Sequence, residues 1–368
     1  MQLEILNSGI IYKNMSPGFK SESAYLPNLV SLSEKEILCF IRIGSAFYSP
    51  DGKICQFRSI DAGNTWIQEN PIELNQSDEN YHYTAPHCTT TSNGELILLV
   101  NRKQASNDET YQMDNNITQH IIFTSRDKGK TWTGYETYIP QSNPYLDTPS
   151  NIIELDNGQW FLGCEEWINI NTDKTLYIKG FGIFSDDRGK SWNHKIDFPS
   201  SHDKTKMYSH SRYTKSLDGK IRVLQWTQTI GGQEDFDAHI AMSDINGENW
   251  TAPEPTGIPA QTSWLADMGH GNFVAVYTHR TGFNPGIKAV VSTDFGKSWN
   301  NTDPIILWDS VGQEFLGVQT IPEYPKSHDN IAFGKPNLIR INKNELIASW
   351  WCTQACVTHA RYARLKLK

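Results

Sequence analysis

The sequence predicts an all-β chain, a six-bladed β-propeller closed by its N-terminal strand on the last blade and forming a single domain over residues 1–368. Three observations carry this. An eight-residue turn motif recurs at blade spacing, a second motif recurs ahead of apolar strands, and aromatic residues make up 11% of the chain. Aromatic side chains suit pleated, half-buried surfaces and are costly to leave in water.

The first repeat reads Ser, any, Asp, any, Gly, two of any type, Trp. Its copies are Ser59–Trp66, Ser125–Trp132, Ser185–Trp192 and Ser292–Trp299. A fifth, Ser243–Trp250, keeps Ser, Gly and Trp but moves the Asp one place forward to Asp244. Each turn has a local logic. The Asp accepts backbone N–H groups, the Gly permits positive φ, and the Trp starts the next strand, where it packs between blades. The spacing of successive copies fits one four-stranded blade each.

The second repeat is Leu26-Pro27-Asn28-Leu29, Ala85-Pro86-His87, Thr148-Pro149-Ser150-Asn151 and Lys335-Pro336-Asn337-Leu338, read as openings of inner strands. Each precedes a turn and a second apolar strand, such as Glu36–Phe40 or Gly94–Leu98. The last blade ends near Arg361–Leu365 without a box, so the spare segment Leu3–Leu6 or Ile10–Tyr12 supplies its outer strand and covers the open edge.

The formal net charge of −8 argues against nucleic acid as a partner, since phosphates need a basic footprint. The start, MQLEILNSGIIYK, lacks a basic-then-apolar leader, and no run is long enough to span a bilayer. A cytoplasmic protein is expected, or a secreted one if a leader has been removed. The six cysteines show no paired framework and no second cluster completing a zinc site, so neither a metal nor another cofactor is expected. Oligomeric state is not legible.

Propellers bind ligands at one mouth of the central channel. Second-strand ends contribute Arg42, Arg102, Glu165 or Glu166, Trp226, His279 or Arg280, and Trp351; inner-strand starts contribute Tyr25, Thr84, Asp147, Tyr208 to Arg212, and Lys335. Arginines hold carboxylates in bidentate fashion, aromatic faces stack on pyranoses, and convergent polar groups on an aromatic wall fit a sugar. Adjacent Glu165 and Glu166 end an apolar strand, where carboxylates are costly unless used or paired, and alternation turns only one toward the mouth. His210 is a candidate base, ligand partner or packed histidine.

The boxes resemble those of the sialidase (neuraminidase) superfamily, whose boxes lie away from the active site. The resemblance covers the whole chain and implies a glycan substrate. It fails at the catalytic set. Tyr25 stands where the family has a carboxylate-binding arginine, Lys335 where it has its nucleophilic tyrosine, and Gln261 to Ser263 where it has the glutamate partner. Arg280 matches well. The six-bladed exo-arabinanases, which this pattern also resembles, use two carboxylates instead. Their pattern implies one of Glu165 or Glu166 paired with Glu234, Asp235 or Asp237, with Asp147 in reserve.

The expected function is therefore an exo-acting glycoside hydrolase releasing a terminal sugar, an acidic one if Arg42, Arg102, Arg212 and Arg280 hold a carboxylate. Trp226, Tyr208 and Lys335 complete the substrate-binding set. Two alternatives stand beside it: a lyase using His210 or Tyr208 as base, and a non-catalytic glycan-binding propeller. The carboxylate mechanism requires one glutamate to reach the mouth. Burial of both against neighbouring blades turns attention to the arginine and histidine side.

Overall fold

The structure is a computed structural model that describes residues 1–47, 49–74, 81–104, 118–140, 146–148, 150–169, 176–232, 234–280, 284–310 and 331–368. Its described residues form six antiparallel sheets in chain order, the six blades of a β-propeller. Blade 1 runs β2 (Ser23–Ser31), β3 (Ile37–Gly44), β4 (Lys53–Ser59) and β5 (Ile67–Ile72), and blade 2 runs β6 (Tyr81–Thr90), β7 (Leu96–Gln104), β8 (Gln119–Ser125) and β9 (Thr133–Thr137). In blade 3, β10 (Leu146–Asp147) and β11 (Ile153–Glu154) both pair with β12 (Trp160–Asn169), followed by β13 (Leu176–Ser185) and β14 (His194–Asp197). Blade 4 is β15 (Lys206–Lys215), β16 (Ile221–Thr229), β17 (His239–Met242) and β18 (Glu254–Pro255). Blade 5 is β19 (Ser263–Gly269), β20 (Asn272–His279), β21 (Gly286–Ser292) and β22 (Ile305–Asp309). Blade 6 is β23 (Phe333–Arg340), β24 (Glu345–Gln354) and β25 (Val357–Leu367), with β1 (Leu3–Tyr12) on its outer side as expected.

The chain folds as two compact units. One holds Ile5–Ile139 with Phe333–Lys366, which is blades 6, 1 and 2; the other holds Pro140–Ala332 with Met1–Glu4 and Leu367–Lys368, which is blades 3, 4 and 5. In the first unit, Ile37, Cys39 and Phe57 pack on Ile347 and Tyr362, and Leu38 and Phe40 pack on Leu98 and Phe123. In the second, Phe161 and Phe184 meet Tyr213 and Val223, and Leu224 meets Leu265 and Phe273. Burying each such side chain contributes roughly 1.5–3 kcal/mol.

The box turns are built as the sequence predicts. In the second box the Ser125 hydroxyl accepts the Gly129 N–H (2.9 Å) and donates to Asp127 (2.8 Å), whose carboxylate also accepts the Thr131 N–H (2.9 Å). In the shifted copy Asp244 still works, accepting the Glu248 N–H at 3.0 Å. Two of the tryptophans reach the preceding blade. Trp132 donates to Gln56 of blade 1 (2.9 Å), and Trp250 packs 4.9 Å from Phe198 of blade 3.

The second repeat corrects the expectation. Leu26-Pro27-Asn28 does not open its strand; it sits inside β2 at a register shift, a β-bulge, as Ala85-Pro86-His87 does in β6 and Lys335-Pro336-Asn337 in β23. The residue after the proline faces the next blade in blades 6 and 1. Asn337 accepts the Leu29 N–H (2.9 Å) and Asn28 accepts the Cys88 N–H (2.8 Å), pinning neighbouring inner strands together. In the second unit Ser150 does the same work, accepting the Tyr213 N–H at 3.0 Å.

Candidate functional site

The site is built in the second unit on a fourth bulge, in β15 between Ser209 and Arg212. His210 takes φ of 48° there. The bulge turns His210 and Arg212 away from the regular pleat, as bulges commonly do beside functional sites. Blade 3 approaches closely because Gly163 on β12 has no side chain. A Cβ there would lie 2.1 Å from the Tyr213 ring.

That approach brings Glu165 onto the bulge. Its Oε2 accepts the His210 N–H (3.0 Å) and its Oε1 accepts the Ser211 N–H (2.8 Å). Asp147 is the direct cross-strand neighbour of Glu165. Burial, and then the charge of Asp147, push the Glu165 carboxyl up to about 7, against the Ser211 hydrogen bonds and the Arg212 charge. Arg212 is 2% exposed, and burial brings it down to about 10 despite Asp147 and Glu165. Its guanidinium lies 5.6 Å over the Trp264 ring, and its Nη1 is buried without a hydrogen-bond partner among the described residues. A buried donor without a partner is costly, and a ligand oxygen is one way to satisfy it.

The second cluster lies across the His210 ring. The imidazole stacks on Trp226 (5.5 Å, 17°) and meets Trp167 edge-on at 6.2 Å. Trp226 donates to Asp235 (2.7 Å), which also accepts from Gln228 (3.2 Å) and Gln261 (3.1 Å). Gln261 in turn accepts from Arg280 at 3.0 Å. Burial raises the Asp235 carboxyl, opposed by the Trp226, Gln261 and Gln228 hydrogen bonds and the Arg280 charge.

Several expected roles change. Glu165 and Glu166 are both buried, at 0% and 1% exposure, and Glu165 gives both its oxygens to backbone N–H groups of blade 4, so the expectation that one of the pair turns into the mouth as catalytic acid is corrected. Glu165 faces backbone of blade 4, whereas Glu166 pairs across to Lys179 and Leu146. Glu234 is exposed in the loop after β16, and its neighbour Asp235 is the residue that turns into the cluster. Tyr208 is buried, and its hydroxyl donates to Asp203 (3.0 Å). Trp226 is not an open stacking face, since His210 covers it. In the first unit, Arg42 gives its two amino nitrogens to the carbonyls of Ala46 (2.7 Å) and Ser49 (2.8 Å), holding the loop after β3. Arg102 is fixed by Gln119 (2.9 Å) and lies 4.5 Å over Tyr81. Lys335 holds the bulge position of blade 6, at φ 44°, equivalent to His210 in blade 4.

The structure thus brings together Asp147, His210, Arg212, Asp235 and Arg280. Trp264 and Gln228 were missed: each is a lone polar-tipped residue in an apolar strand, with no motif to mark it. Among the described residues no group of three His, Cys, Asp or Glu is arranged to hold a metal. The arrangement offers two half-buried carboxyls, Asp147 and Asp235, beside guanidinium donors, which is the equipment for binding and protonating an oxygen-rich ligand.

The family described as BNR repeat-like domain matches residues 86–330. A sialidase of Clostridium perfringens is 24% identical over 268 residues, 67% of this chain and 65% of that protein, so the chain spans less than two thirds of that relative. A Dyadobacter fermentans protein of unknown function superposes with a TM-score of 0.74 at 17% identity, covering 100% of this chain and 99% of that one. The Penicillium chrysogenum alpha-L-arabinanase complexed with arabinobiose gives 0.62 at 12% identity, covering 99% and 98%. With two thirds of its length matched by the family, on a scaffold shared with sialidases and an arabinanase, the chain belongs to the BNR repeat-like family of sialidase-like β-propellers.

Proposed function

We propose that the chain is an exo-acting glycoside hydrolase that releases a terminal sugar at the cluster of blades 3 to 5, with Asp235 and Asp147 as its working carboxyls. The observation that carries this is Asp235: a half-buried carboxyl, raised by burial, and held by the Trp226 indole on which His210 stacks. A carboxyl whose proton burial holds more tightly than water does is what a leaving glycosidic oxygen needs from its acid. The Gln228 amide can rotate to accept that proton, whereas the Trp226 N–H cannot. Asp147, beside the Arg212 charge, either takes a proton from the water that attacks the anomeric carbon or attacks that carbon itself, water then releasing the sugar.

The sugar class is suggested by a structural neighbour: the arabinobiose-bound arabinanase of the same fold supports a neutral terminal sugar over a sialate or a uronate. A panel of aryl glycosides tests both points. Turnover of a neutral pentoside or hexoside is expected, with no turnover of sialosides or uronides. An unsaturated product absorbing in the ultraviolet would instead mark a lyase, and affinity without turnover a binding protein.

A further inference from the structure

Four inner strands carry the same bulge, and one of them differs. Leu26, Ala85, His210 and Lys335 take φ of 55°, 50°, 48° and 44° at their register shifts. In three of them the next residue is a proline, Pro27, Pro86 or Pro336, which has no N–H. In blade 4 the next residue is Ser211. That bulge therefore presents one more buried donor than its counterparts, and a buried N–H without an acceptor is costly. Both donors end on Glu165, one on each oxygen, at 3.0 and 2.8 Å.

We infer that Glu165 is a positioning residue: its carboxylate clamps the proline-free bulge of blade 4 and so presents His210 and Arg212 to the ligand. The geometry sets the two carboxylate oxygens against two backbone N–H donors, with the Ser211 hydroxyl as a further partner of the same carboxylate. Asp147 of β10, Arg212 and Tyr213 of β15 and its own neighbour Cys164 are the titratable groups that face it. The clamp relies on the proposed glycan site only for what the bulge presents; its own test needs no substrate.

The count makes a compensation experiment possible. Glu165→Gln leaves one acceptor and sets an NH2 against the other N–H. Ser211→Pro removes one N–H and installs the residue that follows the other three bulges, at the loss of the Ser211 hydroxyl, which also bonds Glu165 and takes the Gln225 amide (3.1 Å). Glu165→Gln is expected to lower Tm by about 3–6 °C, and adding Ser211→Pro to restore at least half of that loss. A second readout follows His210 itself. Its imidazole resonance, identified by its disappearance in His210→Gln, is shifted by the Trp226 ring. That shift is expected to collapse in Glu165→Gln and return in the double variant. Should Glu165→Gln fail to fold, folding of the double variant supports the clamp. Additive losses, an unmoved His210 resonance in Glu165→Gln, or a double variant that fails to fold while Ser211→Pro alone folds each overturn it. None of these outcomes bears on glycoside turnover, so the clamp and the hydrolase reading fail separately.

Discussion

The two units of the molecule use the same parts to opposite ends. In blades 6, 1 and 2 the bulges carry proline, and Asn28 and Asn337 after two of them are tied to backbone of the next blade. The large cations there are used internally: Arg42 on two loop carbonyls, Arg102 on Gln119. In blades 3 to 5 the corresponding bulge carries Ser211, a glutamate supplies its acceptor, and Arg212 keeps a buried nitrogen without a partner among the described residues. Where the backbone's needs are met by proline and asparagine, the result is scaffold. Where they are met by an ionisable side chain, the result is a polarised site.

The contrast breaks most sharply at its two buried arginines. Arg42→Met removes two charge-assisted hydrogen bonds to loop carbonyls and is expected to cost about 3 kcal/mol in stability while leaving glycan affinity unchanged. Arg212→Met is expected to weaken glycan binding at least tenfold, read by titration calorimetry. If Arg42→Met is the variant that loses ligand, the division of labour between the units is wrong.

The next effect is on pH. The Glu165 carboxyl titrates near 7 in the folded chain, well above its ordinary value near 4.5. Between those values the folded state holds the proton more tightly than the unfolded one. Stability is therefore greatest at the acid end and falls as pH rises toward 7, by on the order of 2–3 kcal/mol. Denaturant midpoints between pH 5 and 8 should show this decline, and the Glu165→Gln, Ser211→Pro double variant should lack it. The box aspartates run the other way. Hydrogen bonds from Ser191 and Ser298 hold Asp187 and Asp294 near 2, so their contribution is present at neutral pH and is lost as pH falls below about 4.

How much of this was legible follows from how local each signal is. The boxes announced six blades because Ser, Asp, Gly and Trp satisfy one another within eight residues. The closing strand was legible because blade 6 had no box and a strand was spare. The bulges were not: a Pro-Asn pair reads as a strand start, and only pairing register shows that it interrupts one. Glu165 was singled out correctly as a costly buried carboxylate, yet its role was misread. Alternation tells which face a residue takes, not whether that face meets solvent or another blade's backbone. Choosing Asp235 over Glu234 required the loop conformation after β16, which sequence spacing does not fix.

Smaller effects sharpen the scaffold side. Ser125→Ala removes a buried hydroxyl that bridges Gly129 and Asp127, and should cost about 1–2 kcal/mol without changing which glycosides are turned over. Deleting Met1–Tyr12 uncovers the edge of β25 and should give aggregation on light scattering. A soluble deletion variant with the parental Tm would contradict the role given to β1.

The central claim is that the working acid is the carboxyl drawn into the blade 3 to 5 cluster, and two adjacent residues isolate it. Asp235 takes hydrogen bonds from Trp226, Gln228 and Gln261, whereas Glu234 is exposed one position earlier. Turnover of one aryl glycoside by Asp235→Asn and by Glu234→Gln is the direct comparison. The account expects the first to fall by about 100-fold or more with its Tm near the parental value, and the second to be unchanged. Full activity in Asp235→Asn, or equal losses in both variants, would contradict it.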